Sequence, residues 1–311
     1  MKKTFYSHGK LLISGEYLVL RGALALAVPT KQGQRMDVEE DESGENILFW
    51  KSYDNQNNIW IDVQFNKKDL SPLRETLKNI EAPVLETLQK ILKTTWDLNT
   101  EFLKTKGSTQ ITNYLEFDRH SGLGSSSTLI NNIARYAGVD AFELNKLIFG
   151  GSGYDIACAN AKKPVLFKID EEGPVFDTVH FMPPSPEKIF FVHLNKKQDS
   201  KTEVINFNNN TSKFIEEIEV ISEISEALLF CDDFHDFKQL LDEHEEMMQF
   251  VLQEEMVKTK LFPDFKGSVK SLGAWGGDFV LAASSMEEVE VRDYFSNKQY
   301  NTIIPYHEMV L

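Results

Sequence analysis

The chain has 311 residues, 41% hydrophobic and 26% charged, with a formal net charge of −15. That composition suits a globular chain long enough for two domains, and excludes a disordered one. The acidity argues against a general nucleic-acid binder, which needs clustered Lys and Arg to neutralise phosphates.

The start, "MKKTFYSHGKLLISGEY", is basic like a signal peptide, but Ser14, Gly15 and Glu16 interrupt its apolar stretch. It reads as a β-strand of a cytoplasmic protein, and no later apolar run could span a bilayer. The runs "KLLIS" and "EYLVL" precede "ALALAVPT", which ends at a proline. Residues 35–65 alternate as strands do, with "NILFW" and "IWIDVQF" on either side of the polar stretch "SYDNQNN", a hairpin pattern. Leu77, Ile80, Val84, Leu88, Ile91 and Leu92 predict a helix over 74–95. "STQITNYLEF" is a further strand, followed by the Gly/Ser-rich passage "RHSGLGSSST" and a helix ending near Gly138. "DAFELNKLIFG" predicts a shorter helix, "GGSGYDIACANA" follows, and "KPVLFKI" and "KIFFVHLN" are strands.

The polar loop "KKQDSKTEV" precedes two amphipathic helices over 213–256. Phe214, Ile218, Ile221, Ile224 and Leu228 form one apolar stripe, and Phe234, Phe237, Leu241 and Met248 the other. Their acidic faces read as solvated, and His235 and His244 as incidental among those acids. Residues 266–285 form a Gly-rich loop leading into a strand, and "NTIIPYHEMVL" ends the chain as an edge strand. Strands and helices mix without a steady βαβ beat, which predicts an α+β fold. A boundary near residue 170 divides it into domains 1–170 and 171–311. The two cysteines, Cys158 and Cys231, fall in no disulfide or zinc pattern.

Ser121–Ser127 admits two readings. Small polar residues before a helix suit a turn with a Ser N-cap. Free amides at a helix N-terminus, with glycines allowing close approach, equally suit phosphate. No G-x-x-x-x-G-K-[ST] string occurs, and Gly122-x-Gly124 lacks the third glycine of the dinucleotide fingerprint. Asp155 follows a glycine turn as either an N-cap or a catalytic base. Lys10 opens an apolar strand, where a lysine usually snorkels to solvent.

Four segments in order resemble the GHMP kinases, the small-molecule kinases of galactose, homoserine, mevalonate and phosphomevalonate. "GKLLISGEYLVLRGALALA" is similar to their amino-terminal motif, and its Ser-Gly-Glu-Tyr is nearest the phosphomevalonate kinases. "SGLGSSST" resembles the nucleotide loop P-x-x-x-G-L-G-S-S-A, "GSGYDIACA" the segment with the catalytic aspartate, and "SLGAWGGDFVLAA" the carboxy-terminal G-A-G-G-G-D motif. The resemblance implies an amino-terminal domain of ribosomal S5 domain-2 type and a ferredoxin-like carboxy-terminal domain, with ATP and substrate between them. It implies ATP with Mg2+, a small mevalonate-type acid as partner, no nucleic acid or membrane, and a monomer or homodimer.

By that resemblance Asp155 takes the proton of the substrate hydroxyl, and Lys10 pairs with it and stabilises charge on the reacting oxygens. Ser121, Gly122, Leu123, Gly124, Ser125, Ser126 and Ser127 hold the ATP phosphates, and Ser126 also meets magnesium. Glu16, Tyr17, Ser200, Gly276 and Gly277 fall on the substrate side, with Lys197 and Thr202 as weaker candidates, while Asp278 orients its loop. The chain departs from the family at Glu116–His120, "EFDRH", which lacks the motif's proline. Trp275 replaces a glycine and covers or narrows the substrate pocket. Glu143 stands near the place of a magnesium-ligating glutamate, one residue out of register, and equally suits a solvated helix. Phosphorylation of phosphomevalonate or mevalonate, an ATP-dependent decarboxylation of diphosphomevalonate, and ligand binding without turnover are the readings this leaves open.

Overall fold

The computed structural model describes residues 2–42, 45–73, 80–196, 200–209 and 212–311. Its elements in chain order begin with β1 (Lys2–Ser14), a 3-10 turn (Leu18–Arg21), β2 (Ala25–Asp41), β3 (Ile47–Tyr53), β4 (Ile59–Asn66), α1 (Ala82–Leu98) and β5 (Ser108–Leu115). Then come α2 (Ser125–Ala137), α3 (Ala141–Ile148), α4 (Tyr154–Asn160), β6 (Val165–Ile169), β7 (Pro174–Thr178) and β8 (Ile189–His193). The remainder is α5 (Ser200–Asn209), α6 (Ile215–Phe230), α7 (Phe234–Leu252), α8 (Val257–Leu261), β9 (Gly267–Leu272), β10 (Phe279–Ser284), α9 (Glu288–Asn297), β11 (Ile303–Pro305) and α10 (Tyr306–Met309).

Two compact units emerge. One contains 1–9, 32–119 and 124–160, and the other 10–31, 120–123 and 161–311. This differs from a single cut near residue 170. β1 and β2, 13 and 17 residues long, each run from one unit into the other, so the segment between them groups with the carboxy-terminal part.

In the first unit the β3–β4 hairpin is antiparallel, β3 lies parallel to β5, and β5 is antiparallel to Gln34–Asp41 of β2. One face of these strands buries Met36, Val38, Trp50, Ile61, Val63 and Ile111 against helices. Leu88, Ile91 and Leu92 of α1 and Ile130, Ile133, Ala134 and Ala137 of α2 supply the helical side. Their spacing of three and four residues is the signature of one buried stripe. The predicted helix over 74–95 is realised as α1 from Ala82, with Pro83 in its first turn, where its missing N–H costs nothing. Residues 74–79, Leu77 among them, lie outside the described residues.

In the second unit, Ala25–Ala27 of β2 pair with β6, which pairs with β7. β8 to β11 form a separate antiparallel sheet in the order β11-β8-β10-β9. Helices between β8 and β9 and between β10 and β11 make this a ferredoxin-like arrangement, as the resemblance implies. Residues 266–285 end in the expected strand, β10, but the part before it is a second strand, β9, joined to β10 by a turn at 273–278. "ALALAVPT" does not end at its proline: β2 continues twelve residues beyond Pro29. β11 is an edge strand as expected, but the chain then closes into α10.

Candidate active site

The Gly/Ser passage resolves at α2. Its N-cap is Gly124, in the left-handed region at φ 92°, so the serines stand inside the first turn and do not cap it. Glycine has no side chain to cap the first-turn amides, which face outward with the positive end of a 13-residue helix behind them. Ser126 is exposed and Ser125 half-buried. Ser127 is buried, and its Oγ donates to the Gly124 carbonyl at 2.9 Å, so its hydroxyl serves the turn and leaves only its amide for a ligand.

A buried polar network fixes α2 against the strands. Thr128 Oγ1 donates to Gln34 Oε1 at 2.6 Å and Asn132 Nδ2 to the Gln34 carbonyl at 2.9 Å. Ser7 Oγ donates to Asn132 Oδ1 at 2.7 Å and accepts from Asn131 Nδ2 at 2.8 Å. Buried, satisfied polar networks of this kind rigidify what they join.

α4 packs against α2 and carries Asp155 in its first turn. The helix starts at Tyr154, so Asp155 is not the N-cap; its Oδ1 accepts the Ile156 amide at 3.1 Å and it is half-buried. Gly150, Gly151 and Gly153, at φ 72°, 82° and 94°, form the preceding turn, which residues with a Cβ adopt only at a cost. Glu143 is exposed in the first turn of α3, whose N-cap Asp140 accepts the Glu143 amide at 2.8 Å.

The second unit holds the other candidates. Lys10 is half-buried on β1, and its amide donates to the Leu123 carbonyl at 3.0 Å, tying the first motif to the loop 120–123. Asp278, with φ 50°, packs its carboxylate against Gly122, where a Cβ would collide with it. The aspartate of the third motif therefore sits against Gly122. Gly276 stands at φ 71° with open space where a Cβ would be, and the Gly277 amide donates to the Ala274 carbonyl at 3.3 Å, closing the turn.

Glu16 and Tyr17 are buried. The Tyr17 hydroxyl accepts the Trp275 amide at 2.9 Å, and its ring meets Phe207 at 5.5 Å. Trp275 is only 4% exposed, and its Nε1 donates to the Glu255 carbonyl at 3.2 Å. The indole is thus buried and anchored to the Glu255 carbonyl. Ser200 opens α5 and Thr202 follows within it, whereas Lys197 lies outside the described residues.

Sequence reasoning missed a buried charged cluster in this unit. Lys270 Nζ donates to Glu16 Oε1 at 2.7 Å and to the Ser271 carbonyl at 2.9 Å, and stands 4.0 Å from Glu245 Oε1. His244 Nε2 lies 3.1 Å from both the Gly15 amide nitrogen and Glu16 Oε2. Glu16, His244, Glu245 and Lys270 are each at most 2% exposed.

Burial alone would raise the Glu16 pKa, but Lys270 and His244 outweigh it and hold the carboxyl at about 2. Burial, with Lys270 nearby, lowers His244 to about 4, and burial pushes Glu245 up to about 8 against the pull of Lys270. At neutral pH the cluster is one ion pair with a neutral acid and a neutral imidazole, which is how four ionisable groups tolerate such burial. The signal was present in the sequence: His244 and Glu245 fall at helical spacing between Leu241 and Met248, on the stripe that was read as purely apolar.

No protein-family model matches the chain, and no curated protein matches it by sequence. Solved structures do. Methanococcus jannaschii mevalonate kinase is 15% identical at a TM-score of 0.69, covering 98% of this chain and 97% of that one. Streptococcus pneumoniae phosphomevalonate kinase, solved with phosphomevalonate and AMPPNP, is 16% identical at 0.70, covering 97% and 99%. Lactococcus lactis galactokinase with galactose is 14% identical at 0.62, covering 98% and 94%. The chain has the two-domain α+β fold of the GHMP kinases.

Among the described residues no helix is long and apolar enough to cross a membrane. Nor do three or more His, Cys, Asp or Glu side chains among them gather as a metal site. A magnesium ion that arrives on ATP keeps most of its ligands from phosphate and water, so one or two protein oxygens suffice. The exposed Ser126 hydroxyl in the first turn of α2 suits one such place.

Proposed function

We propose that the protein is an ATP-dependent kinase that transfers the γ-phosphoryl group to a small mevalonate-type acceptor, phosphomevalonate ahead of mevalonate. The observation that carries this reading is the start of α2. A 13-residue helix capped by a left-handed glycine presents uncapped amides and the exposed Ser126 hydroxyl to an anion, the chemistry a triphosphate requires.

In this reading the amides of Gly124–Ser127 hold the β- and γ-phosphates, and the Ser125 and Ser126 hydroxyls add donors. Ser126 supplies an oxygen to the magnesium, with Glu143 as a second candidate; when bound, that ion offsets phosphate charge. Asp155 accepts the proton of the acceptor's oxygen as that oxygen forms its bond to the γ-phosphorus, while the bond from phosphorus to the β-phosphate bridging oxygen breaks and ADP leaves. Lys10 stabilises negative charge on the transferring group. Gly276 and Gly277 allow the backbone close to that group. Such a reaction needs positioning and charge neutralisation more than covalent help from the protein.

The preference for phosphomevalonate rests on the "SGEY" and "GSGYDIAC" segments; the likenesses to mevalonate kinase and phosphomevalonate kinase are nearly equal and favour neither acceptor. Incubation with magnesium-ATP and a panel of phosphomevalonate, mevalonate, homoserine and sugars tests it. ADP released only with phosphomevalonate or mevalonate, without carbon dioxide, is the expected outcome. Carbon dioxide released from diphosphomevalonate would mean a decarboxylase. Tight ATP binding without turnover on any acceptor would mean a binder.

A further inference from the structure

The turn Gly15–Tyr17 sits in a costly conformation. Gly15 has φ 94°, and a Cβ there would lie 2.6 Å from the Ala25 Cβ. Tyr17 has φ 57°, a region that a bulky residue enters at a cost of roughly 1–3 kcal/mol. A turn of this kind persists only where its surroundings over-determine it. Those surroundings are the buried cluster: Lys270 from β9 grips Glu16, and His244 from α7 lies against the Gly15 amide and Glu16 Oε2. On the far side of the turn, the Tyr17 hydroxyl accepts the Trp275 amide at 2.9 Å in the turn that bears Gly276 and Gly277. Four residues before Ser14 on the same strand, the Lys10 amide donates to the Leu123 carbonyl.

We propose that Lys270 is a positioning residue: through Glu16 it locks the Gly15–Tyr17 turn, and through Tyr17 it sets the Gly-rich turn 273–278. Lys270 touches no reacting group itself. Glu16 is taken up by this lock rather than by a substrate, because its Oε1 is spent on Lys270 and the residue is buried. The groups facing Lys270 are Glu16 from the first motif and Glu245 from α7, with His244 alongside. Glu16 is its only partner at hydrogen-bond distance among those side chains.

Removing one partner of a buried ion pair leaves an uncompensated charge, whereas removing both leaves none. Hydrogen exchange followed by mass spectrometry on Lys270→Met should therefore show amides 14–18 and 273–278 exchanging about tenfold faster or more, with β11 and α9 unchanged. In the double variant Glu16→Gln with Lys270→Met no charge is stranded but the lock is still absent, so both segments should stay at least about threefold faster than in the parent. Should Lys270→Met fail to fold, Glu16→Gln alone is expected to accelerate the same two segments.

The kinetic arm rests on the kinase reading. With magnesium-ATP and phosphomevalonate, Lys270→Met should lower kcat about tenfold or more while the KM for ATP moves less than about threefold. If the parent protein turns over no acceptor, the kinase reading fails and the exchange arm still decides the lock. Unchanged exchange at both segments, acceleration spread equally over β11 and α9, or parent-like exchange in the double variant would each overturn the proposal.

Discussion

Replacing Glu245 with glutamine removes the one carboxyl in the buried cluster that stays protonated near neutrality. In the folded chain burial holds it at about 8, against 4.5 in the ordinary state. Between those values the native state keeps a proton that the unfolded chain has released, so stability falls as pH rises. His244, lowered to about 4, has the opposite slope between there and its ordinary 6.5, and Glu16, held at about 2, titrates lower still. From pH 4.5 to 6.5 the His244 and Glu245 slopes cancel; above 6.5 Glu245 acts alone among the three. The interval from 6.5 to 8 is one and a half pH units at ~1.36 kcal/mol each, or about 2 kcal/mol. Denaturant unfolding at pH 6.5 and 8.5, followed by tryptophan fluorescence, should show the parent losing about that much more than Glu245→Gln over this span. An equal response of both proteins to pH would refute the burial argument for Glu245 and the charge balance built on it.

Asp155→Asn is expected to lower turnover about 10²–10⁴-fold with AMPPNP affinity little changed, and Lys10→Met to act in the same direction. Near-normal turnover of Asp155→Asn would remove it as the base. Gly122→Ala drives a methyl into the Asp278 carboxylate at φ 75°, so AMPPNP binding measured by calorimetry should weaken about tenfold or more. Wild-type affinity would separate that loop from the nucleotide. Trp275→Ala empties a buried anchor and should destabilise the chain by about 3–5 kcal/mol in denaturant unfolding. A loss below about 1 kcal/mol would refute the anchoring role of the indole.

Local patterns were legible where one period dominated. The β3–β4 hairpin, the end of α2 at Gly138 and the short helix α3 were all legible in the sequence. The motifs pointed to the right fold because glycines at positive φ mark turns that few other residues accept. Residues whose role depends on the far end of the chain were not legible. Glu16 was placed on the substrate side by the resemblance alone; its partner in the structure is 254 positions away. Lys270 hid in a segment read as loop, since three glycines within residues 273–277 masked the strand before them. His244 and Glu245 were discounted as members of an acidic run, although their helical phase placed them inside. A single cut near residue 170 followed from reading the chain as consecutive blocks, whereas long strands let one segment serve two units.

The most direct test of the account is a crystal structure with magnesium and AMPPNP. The expected result is β- and γ-phosphate oxygens within hydrogen-bond distance of the Gly124–Ser127 amides. Phosphates held elsewhere, with those amides facing solvent, would contradict the central claim.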